Sequence, residues 1–445
     1  MSELASESSA PRIDLIEALA TGIGTPVPSI ATRSNNHIVP RPNEGVWPGL
    51  ASPPHNPARA RIAEVMFRRA VAKLPVRVVY PGGQRIGIGG PDSPVMRIVR
   101  PDAFFNRLGA HSKIGFGEAY MVGDWTSTSL PDLLTPFAAK LSTLIPPTLQ
   151  RVFRRYVEAR RPREEINTVD GSRENIQRHY DLSNELFATF LDETMSYSSA
   201  WFADDNDNLL EAQQRKVDGV LDMAGVRAGQ HILEIGTGWG GLAIRAARRG
   251  ARVTTLTISA EQARLAEERL AEAGVGDQVQ VLLRDYREAQ GSYDAVVSVE
   301  MIEAVGVEYW PTYFASLDRL LRPGGRVGLQ AITMPHDRLL ASQNDYTWIS
   351  KYIFPGGVIP SVRAIEENLA EHTGLRIAER RSLGPDYART LAHWRETFLS
   401  RWETVAALGF DETFRRMWEF YLAYCEAGFR VGYLDVDQLS LQHRR

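Results

Sequence analysis

The sequence has a single cysteine, Cys425, in 445 residues. An internal disulfide is thereby excluded, and a reducing compartment is the compatible setting. No apolar run reaches the length that a membrane-spanning helix requires. The opening stretch MSELASESSAPRIDLIEALATG starts acidic and has no continuous apolar core, so no signal peptide is expected. No set of His, Cys, Asp and Glu has the spacing of a metal site, and no metal is expected. Net charge is also scarce, at −3, but this hides an asymmetry. Residues 51–165 carry 18 Lys+Arg against 9 Asp+Glu, and residues 166–445 carry 30 against 40. A basic front with no nucleic-acid motif points to an anionic partner such as a lipid headgroup, not to nucleic acid. An ordinary solvated basic face is the plain alternative.

What is present divides the chain into four parts. Residues 1–55, rich in Ser, Pro, Ala and Asn, are expected to be disordered, with a short helix in IDLIEALA. Residues 56–145 combine the helical spacing of RARIAEVMFRRAVAKL with strands in VRVVY and VMRIVR around glycine turns, a small α+β module. Residues 146–169 form a strongly basic amphipathic segment, either a linker or a helix on a membrane surface. From residue 170 to 445, strands and helices alternate. HILEIG, RVTTLTI, VQVLL, YDAVVSVE and GRVGLQAIT are the strands, and GYLDVDQLSLQ is a candidate late antiparallel one. The expected fold class is α/β with a doubly wound, Rossmann-like sheet.

LEIGTGWGG follows the first of these strands and opens a helix. Its glycines permit a tight turn and close backbone approach to NAD or to S-adenosylmethionine (SAM). The second strand ends TLTISAEQ, with no acid where a dinucleotide enzyme grips the ribose, while Glu234 lies two residues before Gly236. Both details favour SAM. A second signal is VSVEMIEAVG, which sets Glu300 and Glu303 among apolar residues at a strand end, where buried carboxylates are costly unless used.

Several further segments occur in order: HYDLSNELFATFLDETMSYSSAWF, EIGTGWGG, LTISAEQ, RDYRE, VSVEMIEAVG, WISKYIFPGGVIPSV and DYARTLAHWRETF. Together they resemble the cyclopropane-fatty-acid synthase and mycolic-acid methyltransferase family over about residues 170–445. SKIGFGEAYMVGDW resembles the N-terminal domain of the full-length bacterial cyclopropane synthases. The resemblance implies a class I SAM-dependent methyltransferase that adds a methyl group to a cis double bond of an acyl chain through a carbocation. It further implies that SAM is held by Tyr197 and Ser198, by Glu234, Gly236, Thr237, Gly238, Trp239 and Gly240, by Thr257, Ser259 and Gln262, and by Asp285, Tyr286 and Arg287. The aromatics of 346–354 and 418–429 suit an apolar tunnel, although core packing explains most of them equally well.

In the resembled synthases a bound bicarbonate is the base, held by Cys, Glu, His and Tyr side chains. Here Ser199 stands at the Cys position and Gln330 at the His position, while Glu303 and Tyr387 match the Glu and Tyr. Glu300 stands where many of those synthases have Gly. The expectation is that Glu300 projects a carboxylate into or beside the bicarbonate space and replaces or repositions the base, so that a different proton can be taken. Pairing of Glu300 with an arginine in a loop is the plain alternative. These departures resemble the actinobacterial branch that makes 10-methylene fatty acids on oleoyl phospholipids, whose product a separate flavin- or NADPH-dependent reductase saturates. The resulting expectation is a cytoplasmic enzyme, peripheral on the inner face of the plasma membrane and a homodimer. Cyclopropanation of the same substrate, a soluble small-molecule methyltransferase and a non-catalytic lipid-binding protein remain as alternatives. His393 and Cys425 are read as structural, and His179 as a lid support or a structural residue.

Overall fold

The computed structural model describes residues 40–140 and 183–444. The basic segment 146–169, His179 and the helix expected in IDLIEALA lie outside these residues. Among the described residues, no helix is long and apolar enough to cross a membrane.

The front module opens with α1 (Pro57–Val71), whose start is set by Asn56: its side chain accepts the Arg59 N–H, and Pro57 occupies the first turn. Strands β1 (Arg77–Val79), β2 (Arg85–Ile86), β3 (Val95–Ile98) and, after helices α2 (Pro101–His111) and α3 (Lys113–Met121), β4 (Trp125–Ser127) form one sheet in the order β2-β1-β3-β4. Helix α4 (Leu130–Lys140) follows. Residues 40–55 depart from the disorder expected of them: Trp47 and Leu50 are buried, and the Trp47 indole donates to Asp411 at 2.9 Å. The local composition is polar and proline-rich, but these apolar side chains are anchors that composition averages away.

After α5 (Asn184–Phe190) and α6 (Leu209–Met223), the chain enters the large sheet. Its first half alternates β5 (His231–Ile235), α7 (Gly241–Arg248), β6 (Arg252–Thr257), α8 (Ala260–Glu272) and β7 (Val279–Leu283). The second half runs β8 (Tyr293–Val299), α9 (Ile302–Val305), α10 (Trp310–Leu320), β9 (Leu321–Thr333), α11 (His336–Ser342), α12 (Trp348–Tyr352), α13 (Val362–His372) and β10 (Leu375–Ser382). Helices α14 (Gly384–Ser400), α15 (Trp402–Ala407) and α16 (Glu412–Arg430) precede the last strand, β11 (Asp435–His443). The strand order is β10-β11-β9-β8-β5-β6-β7, with β7, β6, β5, β8 and β9 parallel and β11 antiparallel to both its neighbours. The winding direction reverses between β5 and β8, so a crevice opens at the carboxyl ends of those two strands, where ligands bind in such sheets.

The front module is built into this second unit. The Arg416 guanidinium on α16 donates to the carbonyls of Tyr120 (2.6 Å) and Trp125 (3.1 Å). Glu118 on α3 accepts from Lys351 (2.6 Å) and Tyr352 (2.9 Å) on α12. Gly117 lies so close to Trp348 that a methyl group there would come within 2.5 Å of the indole. The segments SKIGFGEAY and WISKY, distant in sequence, therefore pack as one interface.

Candidate active site

The crevice is lined by residues from six places, one of them Lys216 and Val217 on α6. The end of β5 and the loop after it supply Glu234, Gly236, Thr237, Gly238 and Trp239, the β6 end and the start of α8 supply Thr257 and Gln262, and the turn after β7 supplies Asp285, Tyr286 and Arg287. Tyr197 and Ser198 close one wall, and Glu300 and Met301 close another. Gly236 has φ +98°, and a Cβ there would meet the Met301 side chain at 2.7 Å, so glycine is needed for both conformation and space. Of the cofactor residues expected from the sequence, Gly240 and Ser259 do not line the crevice. Gly240 is the left-handed cap of α7, and Ser259 caps α8 by accepting the Gln262 N–H. Trp239 lines it while its indole donates to Asn184 Oδ1 at 2.7 Å. Asp285 takes three hydrogen bonds from Arg287, through N, Nε and Nη2, which fixes the turn.

Glu300 is the residue at which the crevice meets a second cluster. Its Oε1 accepts from the Ser199 N–H (2.9 Å) and from Gln330 Nε2 (2.9 Å), and its Oε2 accepts from the Tyr387 hydroxyl (3.0 Å). Its partners are thus an amide, a carboxamide and a phenol; the arginine pairing considered above is not what the structure shows. The Ser199 hydroxyl turns away and donates to the Ala200 carbonyl at 3.0 Å, so Ser199 acts here through its backbone and not its side chain. Glu300 also has φ +50°, a left-handed conformation that costs a non-glycine residue about 1 kcal/mol. The position has the backbone of a glycine, yet it holds a glutamate fixed by three donors, a combination that marks functional sites.

The two carboxylates differ in their surroundings. Burial pushes both above the usual carboxylate range. For Glu300, the hydrogen bonds from Gln330, Ser199 and Tyr387 and the charge of Lys216 oppose that shift. Glu303 is pushed up to about 8, first by burial and then by the charge on Glu300. Its one hydrogen-bonded oxygen faces the Ile332 N–H, and its Oε2 has no partner. The pair is therefore unequal: three donors and Lys216 hold the Glu300 carboxyl down against its burial, whereas at Glu303 burial and the neighbouring Glu300 both act upward.

Two residues that the sequence reading passed over complete the site. Gln438 on β11 donates to Gln330 Oε1 (3.0 Å) and to the Lys216 carbonyl (3.0 Å). It thereby fixes which end of the Gln330 amide faces Glu300. Lys216 on α6 is buried and donates to Ser198 Oγ at 2.7 Å, and burial lowers its ammonium to about 8 against the raising influence of Glu300, Asp192 and Glu234. A signal for Lys216 existed, since it falls on the helix face that buries Ala212, Gln213, Val217 and Val220. Glu234 beside it is pushed up to about 8 by burial, and its Oε2 is orphaned at the crevice. A buried oxygen left without a donor at this place suits the ammonium of SAM, whose positive charge would favour the ionised acid.

The remaining expectations resolve as follows. The aromatics of 346–354 and 418–429 do not line the crevice; Trp348, Phe420, Tyr421 and Phe429 belong to the largest apolar core cluster. His393 stacks on Phe202 at 5.7 Å, and burial raises the Cys425 thiol to about 12, which leaves it unreactive.

A sheet of this order, with a glycine loop and an acid at the end of β5, defines a class I SAM-dependent methyltransferase. The chain belongs to the mycolic acid cyclopropane synthetase family, whose match spans residues 168–439. It is 53% identical over 405 residues to the tuberculostearic acid methyltransferase UfaA1 of Mycobacterium tuberculosis, covering 89% of this chain and 95% of the relative. It is 37% identical over 368 residues to the cyclopropane-fatty-acyl-phospholipid synthase of Escherichia coli K12, covering 80% and 89%. The crystal structure of mycolic acid cyclopropane synthase CmaA1 with SAH and CTAB matches with a TM-score of 0.56 and 32% identity, covering 63% of this chain and 99% of that one. The structure of cyclopropane synthase MmaA2 from Mycobacterium tuberculosis matches with the same score and 34% identity, over 60% and 97%. SAM is thus the cofactor.

Proposed function

We propose that the protein methylates the cis double bond of an oleoyl-type phospholipid acyl chain and forms a 10-methylene branch, with the Glu300 carboxylate as the base. The observation that carries this reading is the position of Glu300, which lines the cofactor crevice and takes the Ser199, Gln330 and Tyr387 donors. Bicarbonate does not suit this donor set: the donors are already bound to a carboxylate, and a second anion would repel it. SAM supplies an electrophilic methyl group. Glu234 and the glycine loop hold its methionine end, the Asp285–Arg287 turn its nucleoside end, and Tyr197 and Ser198 close over it. The positive charge that develops on the acyl chain is met by Glu300 and by the ring of Tyr197, which lines the crevice.

The proton leaves from the transferred methyl carbon in both product classes, so timing, and not a different proton, separates them. Loss while the cation sits on the neighbouring carbon closes a ring. Loss after a 1,2-hydride shift, with the cation on the methyl-bearing carbon, gives an exocyclic methylene. A carboxylate held by three donors is a weaker base than a free one, which leaves time for the shift. A methylene product can then be saturated by a separate reductase. Cyclopropanation is the second reading, favoured by the homology to the Escherichia coli synthase. Incubation with SAM and oleoyl phospholipid, followed by proton NMR of the acyl chains, decides: vinylidene protons are expected, ring protons overturn the product, and SAM binding without turnover leaves only a binding protein.

A further inference from the structure

Helix α1 presents an outward face unlike that of a solvated helix. Ala63, Phe67 and Val71 are buried, and Phe67 packs edge-on against Phe104 and Phe105 at 5.2 and 5.8 Å. The opposite face, spaced by three and four residues, holds Arg61, Ile62, Val65 and Arg69, with Lys73 just beyond the helix. Ile62 is 57% exposed and Val65 40%, two of the seven large exposed apolar residues among the described residues, and they adjoin one another. Glu64 is the one acid of the helix, and it lies to the side, paired with Arg61 (3.4 Å) and Arg68 (2.9 Å). A stripe of branched apolar side chains edged by cations is the pattern of a helix that lies in a lipid interface.

We propose that this face of α1 is a docking surface for an anionic phospholipid bilayer. The apolar pair would enter the headgroup boundary, and the long basic side chains would keep their charges at phosphate level. The proposal rests on the reading that the substrate is a membrane phospholipid. It gives the basic front module a defined role: the aromatic packing of α1 and the Glu118–Lys351 and Arg416–Tyr120 contacts tie the docked face rigidly to the catalytic unit. Docking at α1 therefore fixes the height and tilt of the crevice above the lipid.

The test uses the full chain with vesicles of phosphatidylcholine alone or with one third phosphatidylglycerol, followed by sedimentation. The wild-type protein is expected to bind the anionic vesicles and to release them as salt rises. The double variant Ile62→Asp, Val65→Asp is expected to bind about tenfold more weakly or worse. The variant Arg61→Ala, Arg69→Ala is expected to bind several-fold more weakly on anionic vesicles alone. Turnover of detergent-dispersed phospholipid should stay at the wild-type level in both. Unchanged vesicle binding by the Asp variant overturns the proposal. So does a change of oligomeric state in size-exclusion chromatography, which would make the face a contact between copies, and so does a loss of detergent-phase turnover. If the wild-type protein turns over no lipid yet binds vesicles through α1, the docking surface stands and the substrate reading falls.

Discussion

Glu300 and Glu303 sit one turn apart at the end of β8 and have opposite surroundings. Glu300 faces the cofactor crevice, holds three donors and carries a strained backbone. Glu303 does not line the crevice and keeps one oxygen without a partner. The difference teaches that two buried carboxylates one turn apart can have unlike surroundings, and the proposed base is the one with donors. Donors lower one carboxyl relative to the other, and position relative to the crevice sets which one the proposed reaction can reach. Lysine 216 sharpens the asymmetry, since its charge opposes the rise at Glu300 but is not among the causes acting on Glu303.

The largest effect should come from Glu300→Gln, which keeps the shape and removes the base. Turnover is expected to fall by about 10²- to 10⁴-fold, while the SAM dissociation constant, measured by calorimetry, stays within about threefold. Glu303→Gln replaces a protonated acid by a neutral amide of the same shape. Its turnover should fall by less than about tenfold; a loss equal to that of Glu300→Gln would erase the distinction between the two acids.

Gln438→Leu frees the Gln330 amide to turn and leaves buried polar groups without partners, at a cost of about 1–3 kcal/mol. Because the Gln330 hydrogen bond lowers the Glu300 pKa, its loss should move the acid limb of the rate–pH profile to higher pH. Gln438→Glu, which keeps an acceptor but loses the donor, should not restore the limb. A Gln438→Leu profile that drops in height without moving would reduce Gln438 to a packing role.

The smallest effect concerns stability. Glu234 and Glu303 have folded pKa values raised to about 8, above their unfolded values, so the folded state holds more protons between the two. Their contribution is complete below the unfolded carboxylate range and is lost as pH rises through about 8. Lys216, lowered to about 8, opposes this only at higher pH, between about 8 and its unfolded value. The melting temperature of the cofactor-free protein should therefore fall from pH 5 to pH 8, less steeply in Glu303→Gln and less steeply with SAM bound to Glu234.

The sequence made the succession of strands and helices and the doubly wound class legible, because glycine loops and apolar runs recur along the chain. It also pointed to the two glutamates, since charge in an apolar strand end is conspicuous. The antiparallel β11 was visible in GYLDVDQLSLQ. What stayed hidden depends on distant contacts. Gln438 meets Gln330 across 108 residues and Glu118 meets Lys351 across 233, and no local pattern announces such pairs. That Ser199 meets Glu300 through its amide, with its hydroxyl turned to the Ala200 carbonyl, is backbone geometry that no side-chain substitution announces. Trp47 was lost in a stretch whose composition is that of a disordered segment.

The most direct measurement is the turnover rate in buffer stripped of carbon dioxide and bicarbonate. If Glu300 stands where the anion would be, the wild-type rate is unchanged by depletion, and Glu300→Gly is slow until bicarbonate is added back. A wild-type rate that collapses on depletion and recovers with bicarbonate would contradict the account.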